Sequence, residues 1–331
     1  MGFHIKNSSL LGPGLITNRT AVHDLFYSQF GGSTSGGVQG TTNGYSSGGS
    51  PPSYTQTNII DRFPFATATT NASNIASLTQ SRYGASSQSS SDHGYSSGGW
   101  ASPTSNVIDR FPYATVANAT DVGDLTLTAE QGAGQSSTSS GYSSGGTSPP
   151  APSQNVINKF TFAATSNASN IGNLTLSRYG ASGQSSSTHG YTSGGFNPGV
   201  PGSNRIDKFP FATDASATTS GNLSAGRASI GGGISSTTAG YSTGGQAGPN
   251  VAIIDKFPFA TDSNATNIGN ITEFKYLVSG SASTSFGYTA GGFPGVSQSN
   301  VIDRFPFATD TGATDVGDLS EPRYGPVGHQ V

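Results

Sequence analysis

Large apolar side chains are sparse along this chain and return at fixed intervals, separated by long tracts of Ser, Thr, Gly and Asn. One run, Ile-Asp-Arg/Lys-Phe-Pro-Phe, begins at Ile60, Ile108, Ile206, Ile254 and Ile302, with a degenerate copy at Ile157 that reads on as Asn158-Lys159-Phe160-Thr161-Phe162. Alternation puts Val301, Asp303, Phe305 and Phe307 on one face, which predicts a strand. Pro306 removes a backbone donor and belongs at a strand end or an outer edge. A second run, Gly-Tyr-x-x-Gly-Gly, begins at Gly44, Gly94, Gly141, Gly190, Gly240 and Gly287. It predicts a strand with its tyrosine on one face and a glycine pair where the backbone closes on a neighbour. A third, Asp-Val-Gly-Asp-Leu at Asp121 and Asp315, blurred at Asn170, predicts a short strand with a tight glycine turn. The segment 178–188 supplies the remaining strand or loop. Apolar spacing of helical period is missing, and Gly, Ser and Thr oppose helix.

Both main runs recur six times in steps of 47 to 50 residues. A period of about 48 fits one four-stranded propeller blade. The expected fold is all-β, a six-bladed β-propeller over residues 36–331 behind a short non-repeat arm, residues 1–35. The chain ends on Arg323-Tyr324-Gly325-Pro326-Val327-Gly328, the opening of a further unit. That opening is expected to complete the blade whose later strands begin near Gly44, closing a ring without free edges. The alternative is an open stack. Within the repeat, the glycine pairs Gly48-Gly49, Gly98-Gly99, Gly145-Gly146, Gly194-Gly195, Gly244-Gly245 and Gly291-Gly292 are read as structural. So are Asp61, Asp109, Asp207, Asp255 and Asp303.

Charge adds one constraint. Only 9% of residues are charged, and the net charge is −3. Six basic residues follow the Ile-Asp step: Arg62, Arg110, Lys159, Lys208, Lys256 and Arg304. Five more recur later in the unit: Arg82, Arg178, Arg227, Lys275 and Arg323. Charges this sparse at repeat positions predict Asp–Arg pairs that fix blade register; the functional alternative is a ring of ligand-binding charges at one mouth. Mild acidity without a basic run argues against nucleic acid as partner. No apolar stretch approaches a membrane span. The start MGFHIKNSSLLGPG lacks the pattern of an export signal. Without cysteine, disulfides are excluded and the redox compartment is unreadable.

Chemistry-bearing constellations are few, and neither a cofactor nor a metal site is expected. His4, His23, His93, His189 and His329 share no metal-ligand spacing; His93 and His189 occupy one repeat position, read as a turn. The aspartates from Asp310 to Asp318 resemble a calcium loop, but Asx turns explain them without metal. Asn-Ala-Thr/Ser sequons at Asn71, Asn118, Asn167 and Asn264 lie inside the repeat and need mean no glycosylation. Nothing resembles a nucleophile–base–orienter set.

The glycine doublet with downstream aromatics and a period near 50 resembles kelch repeats. The match is partial, since the usual tryptophan is missing: the one Trp is Trp100, and Phe-Pro-Phe fills the comparable region. More closely, the units resemble the glycine-rich GYxSGG/IDKFPFATD repeats of structural proteins in tailed bacteriophages, marine and cyanobacterial ones in particular, over roughly residues 36–331. The resemblance implies a virion structural protein, attached to capsid or tail, with a host-surface glycan or protein as a further partner. The alternatives are a bacterial surface or secreted kelch-like adhesin, located extracellularly, and a propeller enzyme acting on glycans. The enzyme would need acid, base or tyrosine groups breaking the repeat at one mouth. The arm is the most apolar stretch, through Phe3, Ile5, Leu10, Leu11, Leu15, Ile16, Leu25, Phe26, Tyr27 and Phe30, and is read as the segment that docks into other virion proteins; the alternative is that it packs on its own propeller.

Overall fold

The computed structural model describes residues 39–66, 71–148, 153–199, 202–228, 230–231 and 233–331. The arm side chains from Phe3 to Phe30 lie outside the described residues. The described chain is all-β, a six-bladed propeller of four-stranded antiparallel sheets. In blade 1, β1 (Asn43–Ser47), β2 (Ile59–Pro64) and β3 (Ser73–Ser77) are joined by the last strand of the chain. Blade 2 is β4 (Ser86–Ser89), β5 (His93–Ser97), β6 (Val107–Pro112) and β7 (Thr120–Asp124). Blade 3 is β8 (Ala133–Ser136), β9 (Ser140–Ser144), β10 (Val156–Thr161) and β11 (Ser169–Asn173). Blade 4 is β12 (Ser182–Ser185), β13 (His189–Ser193), β14 (Arg205–Pro210) and β15 (Thr218–Asn222). Blade 5 is β16 (Gly233–Ser235), β17 (Ala239–Thr243), β18 (Ile253–Pro258) and β19 (Thr266–Asn270). Blade 6 is β20 (Ser279–Ala282), β21 (Phe286–Ala290), β22 (Val301–Pro306) and β23 (Thr314–Asp318). Strand β24 (Val327–Gln330) lies against β1, with Tyr45 opposite His329 and Ser46 opposite Gly328. The terminal partial unit thus supplies the innermost strand of blade 1, and the ring closes.

Each sequence run has one place in the blade. Gly-Tyr-x-x forms the second strand, and its glycine pair lies just beyond it. Ile-Asp-x-Phe-Pro forms the third strand and stops at the proline. The second phenylalanine, Phe307 in the last copy, lies past the strand end rather than in the alternation expected of it. The fourth strand runs Thr314–Asp318, one residue earlier than the sequence suggests. A register shift follows the Ile of every third strand, as between Ile302 and Asp303. An Asx turn accompanies it with either Asp or Asn: Gly317 N–H donates to Asp315 Oδ1 at 3.0 Å, Gly123 N–H to Asp121 Oδ1 at 3.1 Å, and Gly172 N–H to Asn170 Oδ1 and Gly269 N–H to Asn267 Oδ1 at 2.9 Å. The sequon asparagines cap the preceding blade's outer strand. Asn118 accepts from Ser77 N–H and Asn167 from Asp124 N–H, both at 3.0 Å.

A chain this poor in aliphatic side chains builds its core from two materials. The outer layer is aromatic. Each tyrosine of one blade lies on the second aromatic of the next blade's Phe-Pro-Phe region: Tyr142 on Phe211 at 4.8 Å, Tyr191 on Phe259 at 4.9 Å, Tyr241 on Phe307 at 5.0 Å. Tyr288 of blade 6 closes the circle on Phe65 of blade 1 at 4.7 Å. Such pairs add about 0.5–1.5 kcal/mol each beyond the area they bury. The glycine before each tyrosine is required here, since a Cβ on Gly190 would stand 2.4 Å from Phe209.

The inner layer is hydroxyl and amide. Ser47 and Ser96 meet across blades 1 and 2 at 2.9 Å, Ser144 and Thr192 across blades 3 and 4 at 2.7 Å, and Ser193 and Ser242 across blades 4 and 5 at 2.7 Å. Gln88, Gln135 and Gln184 donate from one innermost strand to the tyrosine carbonyl of the next blade, at 2.8–3.0 Å. Buried polar groups satisfied in this way carry no net desolvation cost. Innermost strands approach so closely that a Cβ on Gly183 would stand 2.1 Å from the Gly134 carbonyl. What remains along the axis is a channel of about 100 Å³.

His329 occupies the glutamine position of this layer in β24. It is fully buried, contacts Ser47 Oγ at 2.9 Å and Ser96 Oγ at 3.3 Å through Nε2, and meets Phe111 edge-on at 5.1 Å. Burial lowers its pKa to about 4, against about 6.5 in an unfolded chain. The folded state therefore holds the ring neutral. That stability is complete above pH 6.5 and is lost as pH falls towards 4, because only the unfolded chain takes up the proton. Between pH 7 and pH 4.5 the protein should lose about 2–3 kcal/mol more of its stability than His329→Gln. Urea midpoints of the two proteins at both pH values check this; parallel losses would remove the histidine from the account.

Candidate functional site

Five carboxylates, Asp61, Asp109, Asp207, Asp255 and Asp303, sit fully buried at equivalent places. Each meets a cation carried on the crossing from the preceding blade: Arg82 with Asp109 at 2.7 Å, Arg178 with Asp207 at 2.8 Å, Arg227 with Asp255 at 2.7 Å, Lys275 with Asp303 at 3.3 Å, and Arg323 with Asp61 at 3.0 Å. The guanidiniums also donate to carbonyls of the receiving blade. Arg82 reaches Gly98, Val107 and Ser96 at 2.9–3.0 Å. Desolvation lowers Arg178 to about 10, with Asp207 opposing the shift, so the guanidinium stays charged near neutrality. A hydroxyl residue completes each clasp, as where Thr175 donates its N–H (2.9 Å) and Oγ1–H (2.7 Å) to Asp207. These residues, Thr79, Thr126, Thr175, Ser224, Thr272 and Ser320, follow the Leu or Ile that closes the third motif. The sequence therefore held that signal, and our reading of the motif stopped one residue short of it.

The blade 2–3 junction departs from this scheme as a unit. Asn158 replaces the aspartate and still accepts from Thr126 Oγ1 at 2.6 Å. Ala129 stands where the cation should be, with its carbonyl beneath Gly98 as the Arg178 carbonyl lies beneath Gly145. Both charges are gone together.

The other six basic positions lie half-exposed on the third strands. Three lysines pair with the next blade's loop: Lys159 with Asp214 at 2.8 Å, Lys208 with Asp262 at 2.6 Å, and Lys256 with Asp310 at 2.7 Å. Where the position is arginine (Arg62, Arg110, Arg304), the following loop has no aspartate at the matching place: Val116 after Arg62, Thr165 after Arg110, and Ala68 after Arg304.

The two faces of the ring are built differently. The connections between first and second strands are three residues long at 90–92, 137–139, 186–188, 236–238 and 283–285. Each opens with a serine that accepts the N–H three residues on at 3.0 Å. His93 and His189 follow two of these turns, their pKa lowered first by burial and then by Arg110 or Lys208. On the opposite face, the connections beyond each glycine pair differ from blade to blade: Trp100-Ala-Ser-Pro, Phe196-Asn-Pro-Gly, Gln246-Ala-Gly-Pro and Phe293-Pro-Gly-Val. Among the described residues, four of the five exposed large apolar side chains lie on this loop face, namely Tyr54, Leu127, Phe274 and Val296.

Near the axis on this face, the crossing residues Gly84, Gln131, Gly180, Leu277 and Gly325 take left-handed conformations, with φ from 52° to 66°. Their backbones bond around the axis: Gln131 N–H to Gly84 carbonyl, Gly180 N–H to Gln131, Gly84 N–H to Gly325 and Gly325 N–H to Leu277. The residue before each is half-buried Tyr324, Tyr83, Tyr179 or Tyr276, and Glu130 in the Ala129 crossing. Tyr276, Phe293, Tyr324 and Tyr83 form an arc of rings with centroids 5.6, 6.1 and 5.3 Å apart. Tyr83 is pushed up to about 12, by burial first and then by Glu130 and Tyr324. Glu130 is 8% exposed, its Oε2 has no hydrogen-bond partner, and burial raises its pKa. A carboxyl breaking the repeat at one mouth is the feature the sequence reading failed to find. No protein-family model matches the chain, and no curated protein matches it.

Proposed function

We propose that this chain is a non-catalytic display module, a propeller that binds through its loop face and joins a larger assembly through the segment preceding it. The observation that carries this reading is the difference between the two faces. The turn face repeats one serine-capped connection, whereas the loop face carries unlike connections and exposed aromatics. Gln39 and Gly40 bond to Ser235 and Ala282, at the ends of innermost strands β16 and β20 that lead into those serine turns. Gln39 and Gly40 therefore join the ring at its turn face.

The assembly we favour is the particle of a tailed bacteriophage. Support comes from the resemblance of the GYxSGG and IDKFPFATD runs to repeats of such structural proteins, and from an apolar arm outside the repeat. Removing residues 1–35 should leave a folded ring with unchanged β-type circular dichroism that no longer incorporates into particles lacking the protein. Incorporation of the truncated ring would move the attachment to the propeller, and unfolding would make the arm part of its core.

A further inference from the structure

We propose that the loop face holds a binding site for an organic ammonium group, formed by Glu130 with the rings of Tyr83 and Tyr324 beside the axial channel. Four crossings place tyrosine at this position (Tyr83, Tyr179, Tyr276, Tyr324), so the fold does not require a carboxyl there. Glu130 is more than nine-tenths buried, and its Oε2 lacks a partner. A buried carboxylate without a partner is costly and calls for a counter-charge.

The junction supplies none. At five crossings the preceding residue is a buried Arg or Lys; at this one it is Ala129. The cations of the two adjacent crossings, Arg82 and Arg178, are committed to Asp109 at 2.7 Å and Asp207 at 2.8 Å. The receiving position is the neutral Asn158, already engaged by Thr126. The crossing therefore buries a carboxyl group without a built-in counter-ion, and this charge complementarity selects a cationic occupant.

The rings select its kind. Tyr83 and Tyr324 lie 5.3 Å apart, edge to face, and both are half-buried. The Tyr83 phenol is neutral at physiological pH, because burial and then Glu130 push it up to about 12. Neutral aromatic faces beside a carboxylate favour a weakly hydrated ammonium, which gains cation–π attraction as it loses water. A neutral sugar would also stack on these rings but would leave the carboxylate uncompensated. Such a group could come from a free small molecule, a modified polymer or a lysine terminus; the shared chemistry is the ammonium.

This inference rests on the loop face being the one that binds, and its test needs no assembly, so its failure is distinguishable from failure of the arm. Full-length protein should be titrated with tetramethylammonium, choline and 3,3-dimethylbutanol, the neutral isostere of choline. Calorimetry gives the affinity. Fluorescence of Trp100, the single tryptophan, reports the site, because its backbone pairs with that of Tyr83. Saturable binding of both ammonium probes is expected, with none of the isostere. Glu130→Gln should weaken it by about tenfold or more. Glu130→Tyr, which installs the residue of four other crossings, should abolish it with the melting temperature unchanged. Equal binding of the isostere or of a neutral oligosaccharide, undiminished binding in both variants, or no saturable binding of either cation overturns the proposal.

Discussion

Deleting residues 327–331 should abolish the cooperative unfolding of the wild-type ring, or lower its midpoint by about 8 °C or more. The deletion removes β24, the innermost strand of blade 1, and with it the ladder to Ser46 and Ser47 and the buried His329. Lost strand hydrogen bonds and re-exposed core combine to about 5 kcal/mol or more. It also opens β1 as an edge close to the axis, where a second copy can pair with it. Thermal melts and light scattering should therefore show destabilisation together with dimers or larger species. A monomer that melts like the wild type would mean that blade 1 stands without its closing strand.

Asp207→Ala is expected to cost about 3–5 kcal/mol, because Arg178 is then left charged and fully buried. Thr175 N–H and Oγ1–H lose their acceptor in the same step. The double variant Arg178→Ala, Asp207→Asn reproduces what the blade 2–3 junction already has in Ala129 and Asn158. It should recover at least about half of the loss, since a neutral amide keeps the Thr175 bonds and no lone charge remains. Denaturant midpoints of the three proteins decide the matter. A single variant with wild-type stability, or a double variant worse than the single, would mean that the pair does not act as a unit.

The blade count, the closure by the C-terminal segment and the second and third strands were legible because large side chains occur almost only at their positions. A Tyr or Phe every 48 residues in a Ser/Gly background leaves little choice of register. The other innermost strands were legible only as segments, such as 178–188, read as strand or loop without bounds. Sequences such as Ser182-Gly-Gln-Ser carry no apolar alternation, because their burial is satisfied by hydrogen bonds of Gln184 and Ser193 rather than by hydrophobic area. The acidic half of each ion pair was identified from spacing, and both sets of cations were seen. Which set meets the buried aspartate was decided by the crossing geometry, which sends Arg178 into the next blade rather than its own. Glu130 escaped notice for a related reason. Its meaning depends on standing where four other crossings have Tyr and one has Ala228, and that alignment is visible only once Ala129 is matched to Arg82.

A ring of near-copies also has to count itself. Every second strand offers much the same ladder, so a chain that left one blade out could still close with plausible pairings. The neutral junction acts as a frame marker against this error. If blade 3 were omitted, Ala129 would come to face Asp207, burying a carboxylate without its cation, at a cost of several kcal/mol. Omission of blade 2 would bring Arg82 against Asn158 and strand a guanidinium instead. One paired loss of charge, neutral in its proper place, thus makes two of the wrong closures expensive and gives a nearly sixfold object a defined starting point.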